Sequence, residues 1–190
     1  SNTPASYGGG KRLANVLKIA SGLANYGLEN LGEYEGVGIA ITGAENRWAP
    51  CFLALVAKVN VDKNSAAINV QKLTCVLDVG IAINPDGIRA QVEGSLLWGL
   101  SNALLEKMTL EDGMVSERNF DSYKWQNITK IPELEIHIVE NGIFPSGVGE
   151  PATCVVAPAI GNAIFNATGV RLRSLPFSRE ELFEGLDKKA

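Results

Sequence analysis

Apolar residues between 13 and 24 fall at Leu13, Val16, Leu17, Ala20, Leu23 and Ala24. That is the i, i+3, i+4, i+7 spacing of a helix with one buried face. Gly27 supplies a stop signal. Tyr34 to Thr42 reads as a glycine-containing strand. Leu55, Ala57, Val59 and Val61 alternate with Val56, Lys58, Asn60 and Asp62, the period of a strand. Asp62-Lys63-Asn64-Ser65 has turn chemistry. A β-branched run from Ala66 to Val79 follows, so the two strands are expected to pair as an antiparallel hairpin.

Asn84 is a fitting cap and Pro85 a fitting first residue for a helix predicted over 85–106. Its stripe of Ile88, Val92, Leu96, Gly99 and Ala103 is widened by Leu97, Leu100 and Leu104, which implies burial on several sides. Glu111-Asp112-Gly113 predicts a hairpin turn. Leu134, Ile136 and Ile138 alternate with Glu135 and His137 as another strand. A last long helix begins near Pro151 and ends at Gly169. Its buried face is Val155, Val156, Ala159, Ile160, Ala163, Ile164 and Ala167. A short strand over 171–177 and a charged, peripheral tail from Ser178 complete the reading. Hairpins in place of regular βαβ units predict a two-layer α+β fold, with helices packed on a mostly antiparallel sheet. The expected organisation is a flexible leader (1–10), a body (11–177) and a charged tail (178–190).

Composition narrows the function classes. The 190 residues carry 17 basic and 21 acidic side chains, a net charge of −4, and are 46% apolar. One domain with a real core is expected. An acidic chain lacks the attraction that phosphate-backbone binding needs, so no nucleic-acid partner is expected. The longest purely apolar run, Cys51 to Ala57, is far below the roughly 18 residues of a membrane span. Cys51, Cys75 and Cys154 are odd in number and widely spaced, so they read as buried thiols and not as a disulfide or zinc framework. No residue is assigned as a metal ligand. Gly8-Gly9-Gly10 before Lys11-Arg12 lacks the GxxxxGK[ST] pattern and reads as part of the leader.

The most informative segment is Gly147-Val148-Gly149-Glu150-Pro151. The glycines permit close backbone approach, and Pro151 disfavours α geometry at Glu150. Glu150 is therefore held at a turn before a helix. In one reading it caps that helix; in the other it is a general base. Gln91, one turn after Gly87, is either a surface or packing amide or a ligand for a polar cofactor group. His137 shares a strand face with Glu133 and Glu135 and reads as part of a solvated face. Trp48, Trp98 and Trp125 read as packing residues.

An ordered series of segments carries a family resemblance. Leu77-Asp78-Val79-Gly80, Ile83-Asn84-Pro85, Gln91-Val92-Glu93-Gly94 and Gly99-Leu100 resemble the large subunit of the molybdenum hydroxylases, the xanthine dehydrogenase and aldehyde oxidase family. Gly147 to Pro151, Ala159 to Ile164 and Gly169-Val170-Arg171 resemble its C-terminal signature. Gly36-Val37-Gly38-Ile39-Ala40, Asn119 to Tyr123 and Pro132 to Val139 are most similar to the isoquinoline 1-oxidoreductase β-subunit type. The resemblance implies the C-terminal part of a molybdopterin-binding domain. It implies an oxidoreductase that hydroxylates an N-heterocycle or an aldehyde, with water as the oxygen source. Glu150 would be the catalytic base, and Gln91, Gly147 and Gly149 would contact a molybdenum–pterin cofactor in dinucleotide form. The implied partners are the rest of the large subunit, an iron–sulfur small subunit and a small-molecule substrate. The family's upstream glycine-rich cofactor loops have no counterpart here, so the chain alone is expected to bind no molybdenum tightly and to be inactive. A non-catalytic subunit-packing domain on the same fold is the alternative.

Overall fold

The computed structural model describes residues 9–28, 30–46 and 49–188, and of residues 44–46 and 49 the backbone alone. The elements are α1 (Gly9–Leu23), β1 (Glu35–Asn46), β2 (Ala49–Val61), β3 (Ile68–Asp78), α2 (Pro85–Leu104), β4 (Leu110–Glu111), β5 (Met114–Val115), β6 (Glu133–Val139), α3 (Thr153–Thr168) and α4 (Arg179–Asp187). The main sheet has the order β1-β2-β3-β6. β1, β2 and β3 pair antiparallel, while β6 joins β3 in parallel. The α+β arrangement with a mostly antiparallel sheet is therefore as expected.

Helices cover both faces of this sheet, one layer more than expected. α2 and α3 pack on the face that carries Leu53, Leu55, Ala57 and Leu73, whereas Val16 and Ala20 of α1 pack with Phe52, Ala54, Val56 and Val76 on the other. The seven-residue apolar run Cys51–Ala57 follows from this. It lies on β2, an inner strand, and is buried along its whole length. α3 lies directly on β1, because a Cβ at Gly36 or Gly38 would meet the backbone of Ala163. Asn166 Oδ1 accepts from Val37 N (3.0 Å) and Asn162 Nδ2 donates to Ile39 O (3.0 Å), so side chains of α3 occupy backbone groups of β1.

The helix and turn signals hold at several points. Asn84 caps α2 by accepting from Gly87 N at 3.0 Å. Asp112 and Gly113, both at positive φ, join β4 to β5, as a two-residue hairpin turn requires. Gly169 ends α3 in the left-handed region.

Three expectations are corrected. Gly9 and Gly10, placed in the flexible leader, begin α1; Gly8 lies outside the described residues. Arg12, in the first turn of α1, is 7% exposed and points inward to a buried carboxylate. Residues 171–177 form no strand: Leu172 and Phe177 are buried in the main core, and Phe177 N donates to Ala103 O at 2.7 Å. The tail is not wholly peripheral, because Ser178 caps α4 and Leu182 is fully buried in the main core. Among the described residues no helix is long and apolar enough to cross a membrane.

Candidate functional site

Two separate clamps hold the segment that carries Glu150. The first lies upstream, at the end of β3. Asp78, 2% exposed, receives Arg12 Nε at 3.0 Å and Arg12 Nη2 at 2.7 Å. Asn141 Nδ2 donates to both of its oxygens, at 2.7 and 2.9 Å, and Gly80 N donates at 3.2 Å. The guanidinium of Arg12 also lies 4.5 Å from the centroid of the Phe52 ring, a cation–π distance. A buried carboxylate is stable only with this kind of charge pairing and donor supply. Asn141 thereby fixes the start of the loop over 140–149. Ile81 N donates to Ile143 O (2.9 Å) and Ser146 N to Val79 O (3.0 Å). Gly80, at φ +77, makes the approach possible, since a Cβ there would run into the backbone of Ile143 and Phe144.

The second clamp lies downstream, between α2 and the start of α3. Gln91, Ser95 and Gly99 are spaced by four and share one face of α2. Each meets a successive part of the 149–156 segment. Gly99 admits Val156, whose Cγ2 would lie 2.7 Å from an added Cβ. Ser95, 3% exposed, accepts from Thr153 N at 2.9 Å, and its hydroxyl lies 3.0 Å from Thr153 Oγ1. Thr153 Oγ1 donates to Ser95 O at 3.1 Å. Gln91 comes last: its Nε2 lies 3.1 Å from where a Cβ on Gly149 would sit.

Gln91 and Gly149, nearly sixty positions apart, are therefore neighbours, with Glu150 next in the chain. Gln91 and Glu150 are both exposed. Neither side chain has a hydrogen-bond partner among the described residues. Val148, between the two glycines, packs on the main core and anchors the turn; Gly147 is exposed and nothing in the structure explains its lack of a side chain.

The capping reading of Glu150 is not what the structure adopts. No side chain caps α3. The amide of Thr153 is taken by Ser95 Oγ and by the backbone carbonyl of Glu150 at 3.0 Å. The carboxylate is left free of structural work at a rigid turn, beside an amide that can donate and accept.

The other candidates separate from this face. His137 is exposed on β6. Beside it, Lys72 bridges Glu133 and Glu135 at 2.9 Å each, so the polar-face reading stands. Cys51 and Cys75 are buried, but Cys154 is exposed in the first turn of α3, against the expectation of three buried thiols. The apolar stretch around it is a helix, and position 154 falls on the outer side. Burial pushes the Cys51 thiol up to about 11 and the Cys75 thiol up as well. Trp98 and Trp125 are 65% and 47% exposed and so are not core packing residues; Trp48 lies outside the described residues. The Arg12–Asp78–Asn141 hub had no sequence signal beyond an arginine in register with the buried face of α1.

Residues 11–132 match the protein family described as a molybdopterin cofactor-binding domain. That span takes in Gln91 and stops short of Gly147, Gly149 and Glu150. Over 96% of its length the chain is 41% identical to a membrane-bound aldehyde dehydrogenase of Gluconacetobacter polyoxogenes, named for pyrroloquinoline quinone, and covers 24% of that protein. It is 33% identical to the isoquinoline 1-oxidoreductase β subunit of Brevundimonas diminuta, over 74% of this chain and 18% of that one. Among solved structures, the aldehyde oxidoreductase of Desulfovibrio gigas aligns with a TM-score of 0.64 and 29% identity over 73% of this chain and 16% of that one. The quinoline 2-oxidoreductase of Pseudomonas putida 86 aligns with a TM-score of 0.68 and 22% identity, over 74% and 19% respectively; at that identity it supports the fold alone. The chain thus spans about a quarter or less of the length of these relatives.

Proposed function

Because the chain belongs to the molybdopterin cofactor-binding domain family, we propose that it acts as the C-terminal part of a molybdenum hydroxylase large subunit. The proposed reaction is oxidation of an N-heterocycle or an aldehyde, with water as the source of oxygen. The observation that carries this reading is the pairing of Gln91 with the Gly149–Glu150 turn on one open face.

The residues present fit a pterin-type group. Gln91 offers one acceptor and two donors to a ring edge rich in hydrogen-bonding atoms. The missing side chain of Gly149 leaves open the space directly against the Gln91 amide. The group, when bound, supplies the redox centre that accepts two electrons from the substrate carbon. Glu150 takes up the proton released as water oxygen is transferred. Its carboxylate is suited to this because the turn is fixed from both sides and the Thr153 amide is already bonded to Ser95. Gln91, Gly147 and Gly149 line the cofactor side.

In this reading the remainder of a large subunit supplies the other walls, and an iron–sulfur small subunit carries the electrons away. The dinucleotide form of the pterin belongs to the same reading. The chain alone then holds no molybdenum tightly and turns nothing over.

The test is metal and cofactor analysis of the chain within its full-length subunit, purified from a host that makes the pterin. About one molybdenum per large subunit is expected. Pyrroloquinoline quinone in its place would overturn the assignment. Glu150→Gln should keep the molybdenum and lower kcat by about 10²- to 10⁴-fold, the usual contribution of a general base. An unchanged rate would remove Glu150 from that role.

A further inference from the structure

A slot of about 580 Å3 opens beside the C-terminal half of α2, within the size range of small-ligand sites. The rings of Trp98, Phe120, Tyr123 and Trp125 wall it, with Ile128 at its edge. None of Gln91, Gly147, Gly149 and Glu150 lines it. Phe120 and Trp125 meet edge to face, with centroids 5.1 Å apart at 73°. Trp98, Phe120 and Trp125 are 65%, 78% and 47% exposed in this chain, so their rings are open to an occupant.

One carboxylate faces this aromatic wall, that of Glu106, and no basic side chain lines the slot. Tyr123 Oη donates to Glu106 Oε2 at 2.8 Å. The loop that carries Phe120, Tyr123 and Trp125 is tied to α2 itself where Gln126 N donates to Ser101 Oγ at 2.9 Å. Gln126 Nε2 closes the loop on itself by donating to Lys130 O at 2.6 Å. The slot is therefore organised before anything enters it.

A neutral apolar occupant would cover the Glu106 carboxylate without compensating its charge, which is unfavourable. A cation with an apolar body compensates it and gains the attraction of the ring faces. We propose that this slot binds a small organic cation with an apolar or aromatic body, of the quaternary ammonium or N-alkylpyridinium class.

The 190-residue chain, labelled with 15N, tests this by NMR titration with phenyltrimethylammonium and with its neutral isostere tert-butylbenzene. The indole N–H signals of Trp98 and Trp125 should shift saturably with the cation, with a Kd of about 1 mM or tighter. Glu106→Gln should weaken the cation about fivefold or more and should not weaken the isostere, which no longer covers an uncompensated charge. Phe120→Ala, at an exposed ring, should weaken both, and the dispersion of the amide spectrum reports that each variant is folded. Three results would overturn the proposal: no saturation with the cation at ten times that concentration, equal affinity of the isostere, or equal affinity in Glu106→Gln. Self-association that buries the slot and is not reversed by the cation would assign it to a protein partner and overturn it as well.

Discussion

Ser95→Ala is the most direct test of how α2 holds the start of α3. The change removes one acceptor of the Thr153 amide and the partner of the Thr153 hydroxyl. The amide keeps the Glu150 carbonyl at 3.0 Å, and Thr153 Oγ1 keeps its bond to the backbone oxygen of residue 95. The loss is therefore one to two bonds, about 1–2 kcal/mol. Alanine returns about 0.5 kcal/mol through its better helix propensity. The net destabilisation is about 0.5–1.5 kcal/mol, a fall in Tm of about 1–6 °C for a chain of this size. Hydrogen exchange separates this local effect from a general one. Protection of the Thr153 amide should fall by about three- to tenfold while core amides of β2 lose no more than the global change. Gly99→Ala acts on the same contact by crowding, because the new Cβ would lie 2.7 Å from Val156 Cγ2, and should destabilise by about 1–3 kcal/mol. An unchanged Tm and unchanged Thr153 exchange in Ser95→Ala would refute the claim that Ser95 fixes the entry to α3.

Asp78→Asn leaves the Arg12 guanidinium buried without its counter-charge and should destabilise by about 3–5 kcal/mol in urea unfolding; Arg12→Met together with Asp78→Asn should recover part of that loss, and a silent Asp78→Asn would contradict the hub. Alkylation of the native chain at pH 8 should give one adduct by intact mass, at Cys154, and three after denaturation, since Cys51 and Cys75 are buried; a second native adduct would contradict that burial. Hydrogen bonding from Lys72 holds Glu135 below its ordinary value of 4.5, and bonding first to Glu133 and then to Glu135 holds Lys72 above 10.5. The depressed carboxylate stabilises above its unfolded value and loses this as pH falls; the raised amine stabilises below its unfolded value and loses this as pH rises. The difference in unfolding free energy between wild type and Lys72→Met should therefore be largest between those values and shrink on both sides, and a difference independent of pH would refute the pairing.

The sequence was legible wherever a local rule had no competitor. Asn84-Pro85 opened a helix because cap chemistry and the fixed proline φ act within one turn, and Asp112-Gly113 turned a hairpin for a similar reason. Arg12 was not legible, because its charge argues for solvent and only a carboxylate 66 positions away reverses that argument. Residues 171–177 had strand-like composition, yet a strand needs an edge to join. Asn162 and Asn166 already take backbone groups of β1, and the Phe177 amide is taken by Ala103. Cys154 misled because hydrophobic neighbours do not say which side of a helix a residue occupies. Of the candidate site, Gln91 and Glu150 were each identifiable from motif resemblance, but their adjacency depends on Gly99 and Ser95, to which the sequence attached no site role.

The two clamps explain why a free carboxylate can persist at this turn. A loop held at one end would let Glu150 swing to the nearest helix amides, which favour a negative charge. Here the upstream anchor is electrostatic and buried, running from Arg12 through Asp78 to Asn141. The downstream anchor is steric and hydroxyl-based, at Gly99 and Ser95. Ser95 has already answered the Thr153 amide, so the turn gains less from capping by Glu150. The hydroxyl of Ser95 thus does indirectly what the proposed base role requires: it leaves the neighbouring carboxylate unclaimed by the fold.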